Sequence, residues 1–192
     1  LMRILPQRVE ETISAEEIQT IAALSRESGD IEENEEKVIN NIIDLKNKIV
    51  RQVMTPRTVT FSMNEHITVG KAMAMVTELS GHSRIPIYNR EPNNITAIVM
   101  RKDILQAAAE GKNNLPIHQF RQPAHFVPET ARLNRILIDF FDRRQHLFIV
   151  VDEYGTMTGI ISMEDVLEEI IGREIIDESD STKDMRELAR SR

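Results

Sequence analysis

Gly159-Ile160-Ile161-Ser162-Met163-Glu164-Asp165-Val166-Leu167 reads as a short apolar strand, a polar turn and the start of a helix. Sixty-two positions earlier, Ala97-Ile98-Val99-Met100-Arg101-Lys102-Asp103-Ile104-Leu105 has the same outline. Both copies put an aspartate two residues before a leucine, where the helix begins. An internal repeat decides the architecture before any residue has a role, because units of this size bury a core only by packing on each other. A cleft between two similar halves is also a natural place for a small ligand.

Working outward, the first copy runs from about Val50. Val53-Met54-Thr55-Pro56-Arg57 leads into a predicted strand over Thr58 to Phe61, and Thr68 to Val76 reads as a helix with small and apolar residues on one side. Ile85 to Tyr88 is a strand, Asn93-Asn94 a turn and Ile95 to Met100 the next strand, closed by the Asp103 helix. The second copy keeps that order. Phe120-Arg121-Gln122-Pro123 matches Val53 to Pro56, Leu133 to Phe141 is the helix, and Phe148 to Val151 and Met157 to Ser162 are strands around the turn Asp152-Glu153-Tyr154-Gly155. Each copy is β-α-β-β-α. The predicted layout is a helical linker over 1–49, repeats over 50–112 and 113–172, and a charged tail over 173–192, expected as a frayed helix.

The linker carries its own helix signals. Ser14-Ala15-Glu16-Glu17 is a capping box, with Gly29 as the stop. A second helix is predicted from Glu32 to Val50, with Val38, Ile39, Ile42, Ile43, Leu45 and Ile49 as its apolar stripe. The acids between Glu27 and Glu36 read as a cation site or as a solvated helix start whose charges suit the positive end of the helix dipole, and the second reading is preferred. The 192 residues are 41% hydrophobic and 29% charged, with a net charge of −7, a balance that points away from nucleic acid. There is no cysteine, so disulfides, thiolate catalysis and zinc–cysteine sites are excluded. No run approaches the roughly 18 apolar residues of a membrane helix. The chain opens at Leu1 in mid-phrase, as a piece of a longer protein would.

The repeat, with Met-Thr-Pro leading in and Gly-apolar-apolar-Ser-x-x-Asp leading out, resembles the CBS domain, two of which in tandem form a Bateman module. Val53 to Arg57, Ser80-Gly81-His82-Ser83-Arg84-Ile85-Pro86-Ile87-Tyr88, Val150 to Gly155 and Glu164 to Gly172 are similar to the cytosolic part of the CorC and cyclin M (CNNM) proteins. Those are membrane proteins linked to magnesium and cobalt transport, often called hemolysin-like. In them a transmembrane domain precedes an acidic helical linker and the CBS pair, and residues 1–50 resemble that linker. Some members carry a further C-terminal domain. Ile175 to Asp180 looks like a family tail, so the expectation here is a member without one.

The resemblance implies an adenine nucleotide, ATP or AMP, with Mg²⁺ between the phosphates. It implies that Asp165 accepts the two ribose hydroxyls with Ser162 beside it, that Arg84, with Ser83 and His82 nearby, faces the phosphates, and that Thr55 and Pro86 line the base pocket. Ser-x-x-acid is equally a capping-box pattern that needs no ligand, and Arg84 equally a surface arginine paired to a carboxylate. The halves differ: Met100 stands where the second copy has Ser162, and no arginine in His146-Leu147-Phe148 matches Arg84. One site is expected rather than two.

Other chemistry lacks a signature. His66, His82, His118, His125 and His146 show no paired metal spacing, and there is no phosphate-binding glycine loop or nucleophile elbow. Phe140, Ile136, Leu167 and Ile171 are the candidates for a homodimer face, since CBS pairs associate through their helices. The expected function is a non-enzymatic regulatory module at the cytoplasmic face of the membrane, acting on its own transmembrane domain. A dimerisation module with an empty cleft and the regulatory CBS pair of an enzyme are the alternatives.

Overall fold

The computed structural model describes residues 13–75, Leu79 and 81–173. The predicted tail from residue 174 onward, residues 1–12 of the linker, and Val76 and Ser80 of the quoted motifs lie outside the described residues. Helix α1 (Ala15–Ser28) starts on the predicted box. The Glu17 carboxylate accepts the Ser14 N–H at 2.6 Å, and Ser14 Oγ accepts the Glu17 N–H at 3.2 Å. It stops at Gly29, which takes the left-handed conformation (φ 83). Helix α2 (Glu33–Asp44) packs on α1, and an Arg26–Glu36 ion pair joins the two.

Helix α2 is shorter than the expected Glu32 to Val50. After Asp44 the chain turns, Leu45 drops into the second repeat's core at 2% exposure, and Ile49 pairs with Arg132 in an isolated bridge. The apolar residues that continue the helical stripe in the sequence are claimed by a distant core, and tertiary burial outweighs local periodicity. A 3-10 turn over Val50–Gln52 follows. The expected strand over Thr58 to Phe61 is also absent. Strand β1 is Thr55–Pro56, Arg57–Val59 is a 3-10 turn and β2 is Met63–Asn64. The chain must cross from one sheet to the other here. Thr60 closes the crossing by donating its N–H to Arg57 O at 3.2 Å and its hydroxyl to Pro56 O at 3.0 Å.

The remaining elements follow the predicted order: α3 (Val69–Met73), β3 (Arg84–Tyr88), β4 (Ile95–Met100), α4 (Arg101–Ala109), β5 (Arg121–Gln122), β6 (Phe126–Pro128), α5 (Leu133–Arg143), β7 (Leu147–Val151), β8 (Met157–Ser162) and α6 (Met163–Ile171). They make two four-stranded mixed sheets, ordered β2-β3-β4-β5 and β1-β8-β7-β6. The sheets have the same plan. In each, a short strand runs parallel to the next, and the other two pairings are antiparallel. Even the irregularity recurs, at Ile87/Tyr88 and at Val150/Val151.

The lead-in strands are exchanged. β1 opens the first repeat but pairs with β8 in the second repeat's sheet, whereas β5 opens the second repeat but pairs with β4 in the first's. The cores follow the same exchange. Leu45, Val50 and Val53 join Leu133, Phe140, Phe148, Ile161 and Val166, and Ile117 joins Val69, Ile85, Ile87, Val99 and Ile104. A third cluster of Ile95, Ile149 and Met157, with Tyr88 and Ile160 against it, joins the two sheets on their faces away from the helices. Phe140 and Ile136, expected among the dimer-face residues, are core residues at 0% and 1% exposure, and Phe140 stacks on Phe148 at 4.1 Å. Their neighbours Ile138 and Phe141 are the exposed apolar residues of α5.

Candidate functional site

Alternation along the strands determines what faces the seam between the sheets. In β3, Ile85 and Ile87 enter the first core, so Arg84, Pro86 and Tyr88 take the opposite face, and Tyr88 packs in the seam cluster. In β8, Ile161 enters the second core, so Ile160 and Ser162 take the opposite face, and Ile160 packs in the same cluster. Arg84 and Pro86 from one sheet and Ser162 from the other therefore lie on faces turned toward one seam.

Ser162 and Asp165 form a complete capping box on α6. The Ser162 N–H and hydroxyl both donate to Asp165 Oδ2 at 2.7 Å, and Ser162 Oγ accepts the Asp165 N–H at 3.1 Å. The first repeat has no such device, for Met100 starts α4 with no side-chain cap. The register confirms the asymmetry read from the sequence, since Arg84 stands opposite Met100 and Leu147 opposite Ser162.

Thr55 reaches the same region through the strand exchange. It lies opposite Ile160, on the seam face, two residues before Ser162. Gly159 makes that possible, because a methyl group there would collide with the Thr55 carbonyl oxygen. Sequence reasoning used Gly159 only as the first residue of the motif and gave it no packing role, although the first copy has Ala97 at the matching place. Ser83 acts mainly through its backbone, its carbonyl accepting the Arg101 N–H at 3.0 Å, as His146 O accepts the Met163 N–H at 3.0 Å. The Ser83 side chain is exposed. His82 stacks on Phe61 with ring centroids 5.5 Å apart. Pro86 is buried, opposite Ile98. The guanidinium of Arg84 makes no hydrogen bond or ion pair among the described residues, in a chain of net charge −7.

The acids of the linker have local partners. Glu35 accepts the Glu32 N–H at 2.7 Å, Glu36 pairs with Arg26, and Lys37 holds Glu33 below the usual carboxylate range by hydrogen bond and charge. His118 stacks edge-on against His66, and His125 against Phe148. Among the described residues no cluster of three histidines or acids has metal-holding geometry, and no helix is long and apolar enough to cross a membrane. One buried charge escaped the sequence reading. Glu65 accepts the Thr96 hydroxyl at 2.7 Å beside His66.

Comparison with known proteins gives a consistent answer. The CBS domain family matches residues 50–110 and 117–172. A UPF0053 protein of Synechocystis is 34% identical over 186 residues, covering 97% of this chain and 53% of the relative. The magnesium and cobalt efflux protein CorC of Escherichia coli is 33% identical over 175 residues, covering 88% and 59%. The chain thus spans little more than half the length of these relatives. A solved CBS domain of a bacterial CNNM/CorC family Mg²⁺ transporter superposes with TM-score 0.80 at 34% identity, over 86% of this chain and all of that one. A CBS domain of that family solved in complex with ATP gives 0.68 at 32% identity, over 72% and 98%. A CBS-domain pair from Klebsiella pneumoniae with bound AMP gives 0.58 at 26% identity, over 65% and 98%.

Proposed function

Because this chain belongs to the CBS domain family, as a tandem pair of the CNNM/CorC kind, we propose that it is a regulatory module that binds one adenine nucleotide at the seam. Asp165 accepts the ribose hydroxyls, with Ser162 beside it. Thr55 and Pro86 line the base pocket. Arg84, with Ser83 and His82 nearby, meets the phosphates. The reading is carried by one observation: an arginine with no described protein partner lies on the face turned toward the seam where the capped Ser162–Asp165 helix start lies. A guanidinium fork suits phosphate oxygens, and the positive end of α6 adds to the attraction. The ATP and AMP complexes of related CBS domains support the ligand class.

A polyphosphate approaching a chain of net charge −7 gains from a counter-ion, so Mg²⁺ carried between the phosphates strengthens binding. The first half-site, with Met100 uncapped, stays empty. In the whole protein the module sits at the cytoplasmic face of the membrane and acts on an attached transmembrane domain that moves magnesium or cobalt. It associates as a homodimer through its helices. Leu167 and Ile171 of α6 remain available for that contact, Ile171 at 45% exposure, together with Ile138 and Phe141 of α5. The module assigns no chemistry to itself.

The capping box favours a second reading. Ser162 and Asp165 are already satisfied by each other, as a ligand-free dimerisation module requires. Titration calorimetry with ATP and AMP, with and without Mg²⁺, separates the two. Micromolar binding that Asp165→Ala abolishes supports the sensor. No heat from folded protein leaves the dimerisation module. Affinity for ATP that is unchanged when Mg²⁺ is chelated removes the magnesium coupling.

A further inference from the structure

Helix α6 is nine residues long, a rod of about 13 Å at the usual rise, and its two ends have different partners. The first turn carries Ser162 and Asp165. The last turn is grasped by α2 and the turn that follows it. The Asn41 side-chain amide donates to the Ile170 carbonyl at 3.0 Å, across 129 positions of sequence. The Lys48 ammonium meets the Glu169 carboxylate at 2.5 Å. At Gly172, where the helix ends with φ 71, a methyl group would come within 3.2 Å of the Asn41 amide nitrogen. Arg173 reaches Asn34 Oδ1 at 3.3 Å.

The last carbonyls of a helix have no partner within it. Here one of them is assigned to a side chain of the linker. The linker is itself fastened to the second repeat, with Leu45 in its core and Lys48 O accepting the Leu133 N–H at 3.0 Å. Val166 is fully buried midway along α6, and Met163 and Ile170 pack on the same core. So short a helix, seated on one core, shifts as a body.

Resting on the nucleotide reading above, we propose that Asn41 and Lys48 are positioning residues for the half-site at the far end of α6. They fix the last turn of α6 and thereby the placement of Asp165. Linkage makes the effect reciprocal: a ligand that holds Asp165 tightens the hold of α6 on α2, and loosening α2 weakens the ligand. The regulated output of the module is then the attachment of its own N-terminal helices.

The test combines calorimetry with amide hydrogen exchange on the full 192-residue chain, using ATP with Mg²⁺ as the probe. Asn41→Ala and Lys48→Glu each weaken ATP about five- to tenfold, the lower range of typical allosteric coupling. The charge-reversed pair Lys48→Glu with Glu169→Lys regains most of that loss, and ATP slows exchange in α2 of the wild type. Single variants that bind ATP like the wild type, or α2 amides indifferent to saturating ATP, overturn the proposal. A purely structural contact would lower thermal stability and leave affinity unmoved. No heat from the wild type sinks the nucleotide reading itself. The coupling along α6 is then judged without ligand by Ser162→Ala: faster exchange in α2 as well as in α6 upholds it, and an unchanged α2 overturns it.

Discussion

Replacing Asp165 by asparagine separates its two jobs. An amide oxygen can still accept the two bonds from Ser162 that Oδ2 now takes, whereas alanine cannot. Asp165→Ala is expected to cost about 1 kcal/mol of stability, the scale of a lost cap, and Asp165→Asn clearly less by urea denaturation. Both should weaken nucleotide binding, because a ribose diol favours the charged acceptor. An Asp165→Asn chain that binds ATP like the wild type would reduce the residue to a cap. His125 gives a pH prediction. Burial against Phe148 and the nearby Arg143 charge hold its imidazole below the usual 6.5. The unfolded chain then takes up the proton more readily than the folded one, so this contribution is intact above that value and is lost as pH falls through it. The stability advantage of wild type over His125→Gln should shrink between pH 7 and pH 5, and parallel curves would refute the assignment. At this scale the sequence was informative about polar helix starts, since Ser-x-x-Asp is local chemistry and Met100 visibly lacks it. It was silent about Glu65, whose burial depends on Thr96 and His118 folding around it.

Among the elements, those legible in advance are those whose signals are local. The α1 cap and stop, β4 and β8 fall where alternation and turn residues put them. The misread elements are those decided from afar. Leu45 and Ile49 keep a helical period but serve the second repeat, and Thr58 to Phe61 looks extended but lies where the chain changes sheets. The β1–β8 pairing is the clearest instance of distant control. Gly159→Ala is expected to push β1 off its partner, cost about 1–3 kcal/mol as an overpacked site does, and weaken nucleotide binding by displacing Thr55. Chemical denaturation and calorimetry on the same variant check both. Normal stability would mean that β1 tolerates a shifted register.

For the molecule as a whole, the duplication was plain from two phrases, and so was the seam between the copies. The exchange of lead-in strands was not, because nothing in Met54-Thr55-Pro56 says which sheet it will join. The exchange makes the two repeats interdependent. A fragment of residues 50–112 lacks β5 for its own sheet and carries a β1 with no β8 to pair with. It is expected to be poorly folded as a monomer by circular dichroism and sedimentation, whereas two independent domains would each survive the cut. The same geometry bears on ancestry. A lone unit that lends its first strand outward and needs one in return is satisfied by a second copy of itself, each donating to the other about a two-fold axis. The tandem gene then reads as such a swapped pair sealed into one polypeptide. Once sealed, the halves no longer had to be identical, and one mouth could carry serine while the other carries methionine.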